Sequence, residues 1–255
     1  MFFPEARIRS VAEFLSAVER LRRRRRPVWY RGSTDAGYKL IPSLGRPPFQ
    51  LQHERVLLNS FKQNAVQFVD ERPLSEWEWL FLARHHSVPT RLLDWTESPL
   101  IGLYFATTSA AGPERNANKD GVLWVLLPTE LNRRAAISLP DRQALPIFED
   151  DDPHLRQYLP KTLASELSSV VIPAAGIAIR HSKRMQAQHS VFTVTHRNQT
   201  PLEEIGNGAH VGRFIVPARF KARVRRQLEV LKIDRLAVFP ELDNAALLAR
   251  RQYDG

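Results

Sequence analysis

The side chains of this 255-residue chain that could do chemistry concentrate in one apolar segment, residues 83–107. The segment contains the adjacent histidines His85 and His86 and the ionisable residues Arg91 and Asp94. A charge inside such a run must be paired, because burying an unpaired charge is costly. The segment therefore predicts either a polar network that fixes the fold or a functional site.

Arg91 and Asp94 lie three positions apart, a spacing at which two side chains in a helical turn can bind each other. The pair predicts either a structural salt bridge or an arginine that holds Asp94 while Asp94 orients a histidine or a substrate hydroxyl. Only one of His85 and His86 can easily face a given site, because adjacent helical positions diverge by about 100°. Without cysteine or an HExxH pattern we expect no metal, and a neutral histidine that hydrogen bonds in a pocket is the better interpretation.

Two further positions could contact a ligand. Arg31 offers a planar guanidinium group that can bind a phosphate or a carboxylate. Gly32 follows it directly and has no side chain, so a ligand can approach the backbone there. The alternative is an arginine that pairs with a core carboxylate. Gln188 precedes a predicted strand, and its amide can bind a ribose or an amide group. The alternative for Gln188 is a hydrogen-bonded core residue.

The charge balance favours an anionic partner. The chain has 37 Lys+Arg and 27 Asp+Glu, a formal charge of +10 and an isoelectric point of about 10.4. RNA or DNA is the first candidate, and a basic protein from an arginine-rich proteome is the alternative. Arg219, Arg223 and Arg226 fall on one predicted helix face and, with the arginine run at 22–26, could bind phosphate. A solvated face explains such a run equally well.

Several classes of protein lack support in the sequence. There is no cysteine for a disulfide framework, no apolar run that could span a membrane, and no secretory signal at the start. We therefore expect a cytoplasmic protein without membrane contact. The GxxxxGK[ST], GxGxxG and GxSxG patterns are missing, so nucleoside triphosphate hydrolysis and serine-hydrolase chemistry are not indicated.

The predicted elements indicate a single α+β domain over residues 1–255. Helices are expected in the first half, beginning with one at about 10–26, and the β-rich part extends over about 121–239. A last helix is expected at about 241–252. This segregation argues against alternating βαβ units. Short strands are predicted at 169–172, 175–180 and 190–195 and near Phe214 and Leu236.

Five stretches together resemble the FRG domain family, which is named for a Phe/Trp–Arg–Gly element. Three of them lie in a block at about 28–107: WYRG at Trp29–Gly32, LIPSLGR at Leu40–Arg46 and HHSVPTRLLDWTESPLIGLYFAT at His85–Thr107. The last of these resembles the family's most specific block. The later stretches are Arg184, Gln188 and Phe192, and LKIDRLAVFPELD at Leu231–Asp243.

The chain departs from the FRG pattern at three positions. Arg84 stands where the family has glutamine, and Ser87 and Ser190 stand where it has glycine. The two serines indicate that a negative φ is tolerated at these positions, or that the site is a variant.

A second resemblance is to the ADP-ribosyltransferases. The Tyr-Arg-Gly strand is similar to the first motif of the arginine-type enzymes, and LIGLYFATTSA is similar to a helix start in the poly-ADP-ribosyltransferases. The glutamate of the late motif is missing, and Gln188 is its nearest match. The resemblance implies a helical N-terminal half packed on a small split β core, with NAD as co-substrate and no metal.

The resemblance also implies roles for individual residues. The expected cofactor contacts are Arg31 on the pyrophosphate, Gly32 on the nicotinamide amide and Tyr104 stacked on the nicotinamide ring, together with Tyr30 and Arg91. The expected catalytic group is His85 and Asp94 as a dyad, with Gln188 on the ribose or the acceptor.

The expected function is an NAD-dependent ADP-ribosyltransferase or a close derivative. Nucleic acid is a candidate acceptor, and a toxin or phage-defence effector is a candidate role. The alternatives are a non-catalytic nucleotide- or nucleic-acid-binding module and a metal-independent nuclease with His85 or His86 as general base.

Overall fold

The computed structural model describes residues 5–22, 26–69, 73–109, 112, 115–162, 171–197 and 199–251. The strands within these ranges are β1 (Ala6–Arg7), β2 (Trp29–Ser33), β3 (Leu92–Thr96), β4 (Gly121–Leu126), β5 (Ala174–Gly176), β6 (Ser190–Val194) and β7 (Val211–Val216). The α-helices are α1 (Val11–Arg22), α2 (Glu54–Ala65), α3 (Glu76–His85), α4 (Pro99–Thr107), α5 (Pro128–Arg134), α6 (Lys183–Ala187), α7 (Ala218–Val230), α8 (Arg235–Val238) and α9 (Leu242–Arg251). Short 3₁₀ turns lie at Ser43–Gly45, Leu51–His53, Val66–Phe68, Arg156–Tyr158 and Leu202–Glu204.

The seven strands form one sheet in the order β1-β7-β4-β2-β3-β6-β5. Only β1 and β7 run parallel, and the other neighbours are antiparallel. Five residue pairs join β2 to β4, and five join β3 to β6, whereas β2 and β3 meet at the single pair Tyr30 and Thr96. The sheet thus consists of two groups of strands joined at one point, which we call the sheet joint.

Helices cover one face of the sheet on both sides of the sheet joint. Side chains of α1, α4 and α7 pack over β2, β4 and β7, and side chains of α3 pack over β3 and β6. The opposite face carries its own apolar cluster, which includes Trp29, Trp95 and Trp124. The mixed α+β class is therefore confirmed. The sheet is larger than the small β core we expected, and it takes β1, β2 and β3 from the part of the chain before the expected β-rich part at about 121–239.

Capping side chains mark the starts of three helices. The hydroxyl of Ser10 accepts a hydrogen bond from the Glu13 amide at 3.2 Å, and that of Ser75 accepts one from the Glu78 amide at 3.1 Å. Ser98 accepts from the Ile101 amide at 3.4 Å, with Pro99 in the first turn of α4. These local signals need no tertiary contact, because a cap satisfies backbone donors that the helix itself leaves open.

Four predicted elements differ in the structure. The strand predicted at 175–180 is the shorter β5, which ends at Gly176. The segment at 90–96, interpreted as a helical turn, forms β3, and the strand predicted near Leu236 is the short helix α8. Of the strand predicted at 169–172, residues 169 and 170 lie outside the described residues, and 171–173 are not a strand. Residues 23–25 of the predicted first helix also lie outside them. Along the described ranges, no helix is long and apolar enough to cross a membrane.

Arg91 pairs with Glu54 and not with Asp94, which corrects the predicted Arg91–Asp94 bridge. Arg91 and Glu54 are each 2% exposed, and the Arg91 guanidinium donates to the Glu54 carboxylate and, at 3.3 Å, to the Tyr158 carbonyl oxygen. The Arg91 amide also donates to Glu54 at 3.1 Å. Because β3 is extended, positions 91 and 94 point to opposite faces of the strand. Arg91 is therefore part of the buried framework and not a cofactor contact.

We expect the stability of the fold to fall with acidification below pH 6.5, in part because of His210. This side chain is fully buried, its Nε2 lies 3.0 Å from the Leu202 carbonyl oxygen, and its Nδ1 has no hydrogen-bond partner in the described part. Burial lowers the pKa of His210 to about 4. Between the unfolded pKa of about 6.5 and the folded pKa, the unfolded chain binds the proton first, so stability is lost as pH falls through this window.

Urea unfolding at pH 7, 6, 5 and 4.5 measures the effect. His210 alone contributes a slope that approaches about 1.4 kcal/mol per pH unit. Replacing His210 with glutamine is expected to remove that part of the slope, whereas replacing the exposed His189 with glutamine leaves it in place. An unchanged slope in His210→Gln contradicts the assignment.

Candidate functional site

A cavity of about 300 Å³ opens at the sheet joint, on the helix-covered face. It lies where α3, α4 and α6 meet β2, β3 and β6, between the two apolar clusters that pack on that face. Its polar lining is formed by Arg31, Gly32, Arg84, His85, Ser87, Asp94, Thr96, Arg184, Gln188 and Ser190. Its apolar lining is formed by Tyr30, Phe81, Trp95, Phe105, Met185, Phe192 and Phe239.

Asp94 lies at the centre of the polar lining and is bound by two arginines. Nε of Arg84 donates to Oδ1 and Oδ2 of Asp94 at 3.2 and 2.9 Å, and Nη2 of Arg84 donates to Oδ2 at 2.5 Å. Nη1 of Arg31 donates to the backbone carbonyl oxygen of Asp94 at 2.5 Å and lies 3.6 Å from Oδ2. The contact of Arg31 with Asp94 therefore joins β2 to β3 where the two strands have no backbone pairing beyond the sheet joint.

The cavity carries more positive than negative charge. Arg31, Arg84 and Arg184 line it, and Asp94 is the one carboxylate in its described lining. Glu241 approaches Arg184, but only to 3.9 Å. Burial lowers the pKa of Arg31 to about 10, Asp94 acts against this, and Arg84 and Arg46 add to it. Arg31 therefore stays protonated at neutral pH next to like charges, an arrangement that an incoming anion would stabilise.

Asp94 remains ionised in this surrounding. Burial alone would raise the pKa of its carboxyl group, but the charge and hydrogen bonds of Arg84, followed by the charge of Arg31, outweigh burial and lower the pKa below the usual value. Its side chain is 36% exposed, so the carboxylate still faces open space. Asp94 can therefore accept hydrogen bonds from a ligand and cannot donate one.

His85 lines the cavity, whereas His86 is exposed and packs toward Phe61. Burial, followed by the charges of Arg184 and His86, lowers the pKa of His85 to about 4. The imidazole is therefore neutral at pH 7. No hydrogen bond joins His85 to Asp94 in the described part of the chain, and the donors that reach the Asp94 carboxylate come from Arg84. No group of three or more potential metal ligands is present among the described residues.

Gln188 ends α6 and reaches the same cavity. Its Nε2 donates to the Val238 carbonyl oxygen at 3.1 Å and thereby ties α6 to α8. The side-chain oxygen of Gln188, Oε1, accepts no hydrogen bond from the described part of the chain. One end of the amide therefore supports the fold, and the other end is available to a ligand.

Packing explains Gly32, and Tyr104 lies away from the cavity. A Cβ on Gly32 would lie 2.1 Å from the Gly102 carbonyl oxygen, so the packing of α4 on β2 requires this glycine, which also lines the cavity. Tyr104 is 6% exposed and lies in the apolar cluster under α4, where it borders a different cavity. The next residue on the helix, Phe105, lines the candidate site in its place.

The sequence did not identify Arg84, Arg184 and Phe239 as contributors to the site. Arg84 was noted only as a departure from the FRG pattern, and Arg184 only as part of a motif. The Arg184 guanidinium lies 4.6 Å from the ring centroid of Phe239, which also lines the cavity. Arg184 and Gln188 are four residues apart around α6, so their spacing was a usable signal that the two side chains share one face.

Ser87 retains the left-handed backbone that its glycine-like position suggests. Its φ is +65°, which corrects the expectation of a negative φ. The Ser87 amide donates to the Arg84 carbonyl oxygen at 3.1 Å, and the Val88 amide donates to the Ala83 carbonyl oxygen at 2.9 Å. This is the Schellman arrangement that ends a helix, in which glycine is preferred. Ser190 is extended in β6, as expected.

We expect Ser87→Gly to raise the free energy of unfolding by about 1 kcal/mol, because a left-handed residue with a Cβ is strained. Ser190→Gly is the matched control and should lower it by roughly 0.5–1 kcal/mol, since glycine weakens a strand. Urea unfolding of the two variants measures both effects. A loss of stability in Ser87→Gly contradicts the proposed strain.

The basic face predicted on α7 is divided in the structure. Arg219, Arg223 and Arg226 are exposed and form no ion pair with any described residue. Lys221 is 2% exposed, and its Nζ donates to the carbonyl oxygens of Thr34 and Asn116 at 2.7 and 2.9 Å. Lys221 therefore supports the fold, whereas Arg219, Arg223 and Arg226 of α7 remain exposed to solvent.

Residues 26–115 match the model of the FRG domain. The resemblance to the FRG family is thereby confirmed for this segment, which supplies Arg31, Arg84, His85 and Asp94 to the cavity. Arg184, Gln188 and Phe239 come from the chain beyond the matched segment. No curated protein and no solved structure matches the chain with significant similarity.

Proposed function

We propose that the cavity binds a phosphorylated nucleotide, with NAD as the leading candidate. The observation that carries this proposal is the set of three arginines, Arg31, Arg84 and Arg184, on a lining whose described part has one carboxylate. Guanidinium groups bind phosphate through paired N–H donors. Each of the three side chains is 22–31% exposed, so each can be reached from the cavity.

The apolar lining supports a ligand that also carries a ring. Phe81, Phe105 and Phe239 border the same space as the arginines, and aromatic faces stack on planar heterocycles. A volume of about 300 Å³ is at the lower end of the usual range for ligand pockets, about 300–1,000 Å³. The cavity would therefore enclose one nucleotide-sized part, and the rest of a dinucleotide would lie across its opening.

ADP-ribosyl transfer is the reaction we propose for such a ligand. The bond between the ribose C1′ and the nicotinamide nitrogen breaks, nicotinamide leaves with the electron pair, and the acceptor oxygen or nitrogen bonds to C1′. The transition state resembles an oxocarbenium ion, which a carboxylate such as Asp94 can stabilise. Neutral His85 can take the proton that the acceptor releases. The arginines support nucleotide binding more directly than they support turnover.

Two measurements test the proposal. Isothermal titration calorimetry with NAD, ADP-ribose, ADP and nicotinamide reports binding, and mass spectrometry of RNA, DNA and protein after incubation with NAD reports an added ADP-ribose. Binding with turnover supports the transferase, and binding alone supports a nucleotide-binding module. No heat with any phosphorylated ligand overturns the proposal. Shortened nucleic acid without NAD would instead support a nuclease.

The exposed arginines of α7 favour a second candidate function, contact with nucleic acid. Replacing Arg219, Arg223 and Arg226 with glutamine is expected to make the plot of log affinity for duplex DNA against log salt less steep by about 2.7, since each phosphate contact contributes about 0.9. Filter binding from 50 to 200 mM salt measures the slope.

The control triple replaces Arg55, Arg142 and Arg156, which are exposed and lie in segments other than α7. It removes the same charge and should leave the slope close to that of the unmodified protein. Equal changes in both triples would mean that net charge, and not α7, governs binding.

A further inference from the structure

We propose that Asp94 accepts a hydrogen bond from a ribose hydroxyl, so that the cavity takes ribonucleotides in preference to their deoxy forms. This inference rests on the proposed nucleotide function and specifies its ligand. The arginines can bind the phosphate of a nucleotide, but a guanidinium group does not distinguish a ribose from a deoxyribose. Recognition of the ribose hydroxyls therefore needs a hydrogen-bond acceptor beside the arginines in the same cavity.

Asp94 is the carboxylate in the described lining, and it keeps unused acceptor capacity. A carboxylate offers about four lone-pair positions. All three of its side-chain hydrogen bonds come from Arg84, and two of them converge on Oδ2. Among the described residues, one hydrogen bond reaches Oδ1, from Nε of Arg84 at 3.2 Å. Since the side chain is 36% exposed, a ligand donor can reach the carboxylate.

The charge of Asp94 restricts what can bind beside it. An ionised carboxylate repels a second anion, so the ligand group that faces it must be a neutral donor, such as a hydroxyl or an amide. The guanidinium groups of Arg31 and Arg184 line the same cavity and attract an anion. A ligand that binds both the Asp94 carboxylate and these guanidinium groups carries a hydroxyl within a few bonds of a phosphate. A ribose phosphate meets this requirement through its 2′- and 3′-hydroxyls.

A purely structural role for Asp94 gives a different expectation. If the carboxylate only holds Arg84 against β3, removing a ligand hydroxyl leaves affinity unchanged. If Asp94 binds the sugar, the deoxy ligand leaves a charged acceptor without its donor, which is more costly than the loss of a neutral hydrogen bond. The two roles therefore predict different ratios of dissociation constants for ligands that differ by one oxygen atom.

The test measures dissociation constants of ADP, 2′-deoxy-ADP, 3′-deoxy-ADP and ribose 5-phosphate by calorimetry. We expect at least one deoxy ligand to bind the unmodified protein about tenfold more weakly than ADP does. In Asp94→Asn this ratio should fall toward one. Glu97→Gln, at an exposed carboxylate that pairs with Arg180, is the control and should keep the ratio. The dissociation constant of ribose 5-phosphate shows whether the sugar phosphate alone binds or whether binding needs the whole nucleotide.

The outcomes separate the ribose assignment from the proposed nucleotide binding. Equal affinity for all three adenine nucleotides overturns the ribose assignment and leaves nucleotide binding intact. Binding of none of them overturns the proposed function as well. A ratio that persists in Asp94→Asn shows that another group contacts the hydroxyl, which also overturns the assignment. If Asp94→Asn does not fold, equal affinities of the unmodified protein for ADP and its deoxy forms still overturn the assignment.

Discussion

Replacing Glu54 with glutamine is expected to lower the free energy of unfolding by about 3–5 kcal/mol, the usual cost of breaking a buried ion pair. The Arg91 guanidinium would keep its charge at 2% exposure, with the Tyr158 carbonyl oxygen as its remaining strong acceptor. Urea unfolding at pH 7, with the denaturant slope checked for two-state behaviour, measures the loss.

The matched control is Glu204→Gln, which removes the carboxylate of an exposed pair. Lys39 and Glu204 are 2.7 Å apart, but their side chains are 59% and 49% exposed. Solvent screens such pairs, so the expected loss is below about 1 kcal/mol. Replacing both partners, as Glu54→Gln with Arg91→Met, should recover part of the stability because no unpaired charge remains. A loss in Glu54→Gln no larger than in Glu204→Gln contradicts the argument.

Replacing Arg84 with glutamine, the residue that the FRG pattern has at this position, is expected to weaken binding of ADP about 10- to 100-fold. The change removes one guanidinium from the cavity and leaves Asp94 with fewer donors, and a hydrogen bond to a charged group is worth about 1.5–3 kcal/mol. Arg184→Gln should have a similar effect. Calorimetric titration with ADP and pyrophosphate gives the dissociation constants.

The control for both variants is Arg223→Gln on α7, which removes the same charge far from the cavity lining. Its affinity for ADP should stay within about twofold of the unmodified protein. If all three variants lose affinity to the same extent, the effect comes from net charge. Unchanged affinity in Arg84→Gln and Arg184→Gln would mean that the ligand does not use these guanidinium groups.

Residue types that are costly to bury identified much of the cavity lining from the sequence. His85 and Asp94 are predicted for this reason and Arg31 and Gln188 for groups that can bind a ligand, and the structure places all four around one cavity. Their roles toward a ligand remain proposals. The approach works because an ionisable or amide group within an apolar run needs a partner, whatever the fold.

The partners of these residues could not be predicted, because they depend on tertiary contacts. Glu54 lies 37 positions before Arg91, and nothing in the local pattern joins the two residues. Asp94 was paired with Arg91 because the segment was interpreted as a helical turn, whereas in β3 it faces Arg84. A short apolar run fits a strand or a helix equally well, and its pairing with β6, nearly a hundred residues later, decides the outcome.

The choice between Tyr104 and Phe105 has a similar physical origin. Both aromatic residues lie on α4, and a step of one residue turns the helix by about 100°. The orientation of α4 is set by its close packing at Gly32 and Gly102, which is a contact between a strand and a helix about 70 residues apart. No periodicity within α4 reports that contact.

The single residue pair at the sheet joint links recognition to the integrity of the fold. Little backbone holds the two groups of strands together there, so the contact of Arg31 on β2 with Asp94 on β3 is a side-chain link across the joint, and Arg84 on α3 holds the same carboxylate. Under the proposed function, a bound phosphate would share the guanidinium groups of Arg31 and Arg84. Replacing either arginine is therefore expected to change both affinity and the free energy of unfolding, whereas replacing Arg184, which is not bonded to Asp94, should leave this link intact.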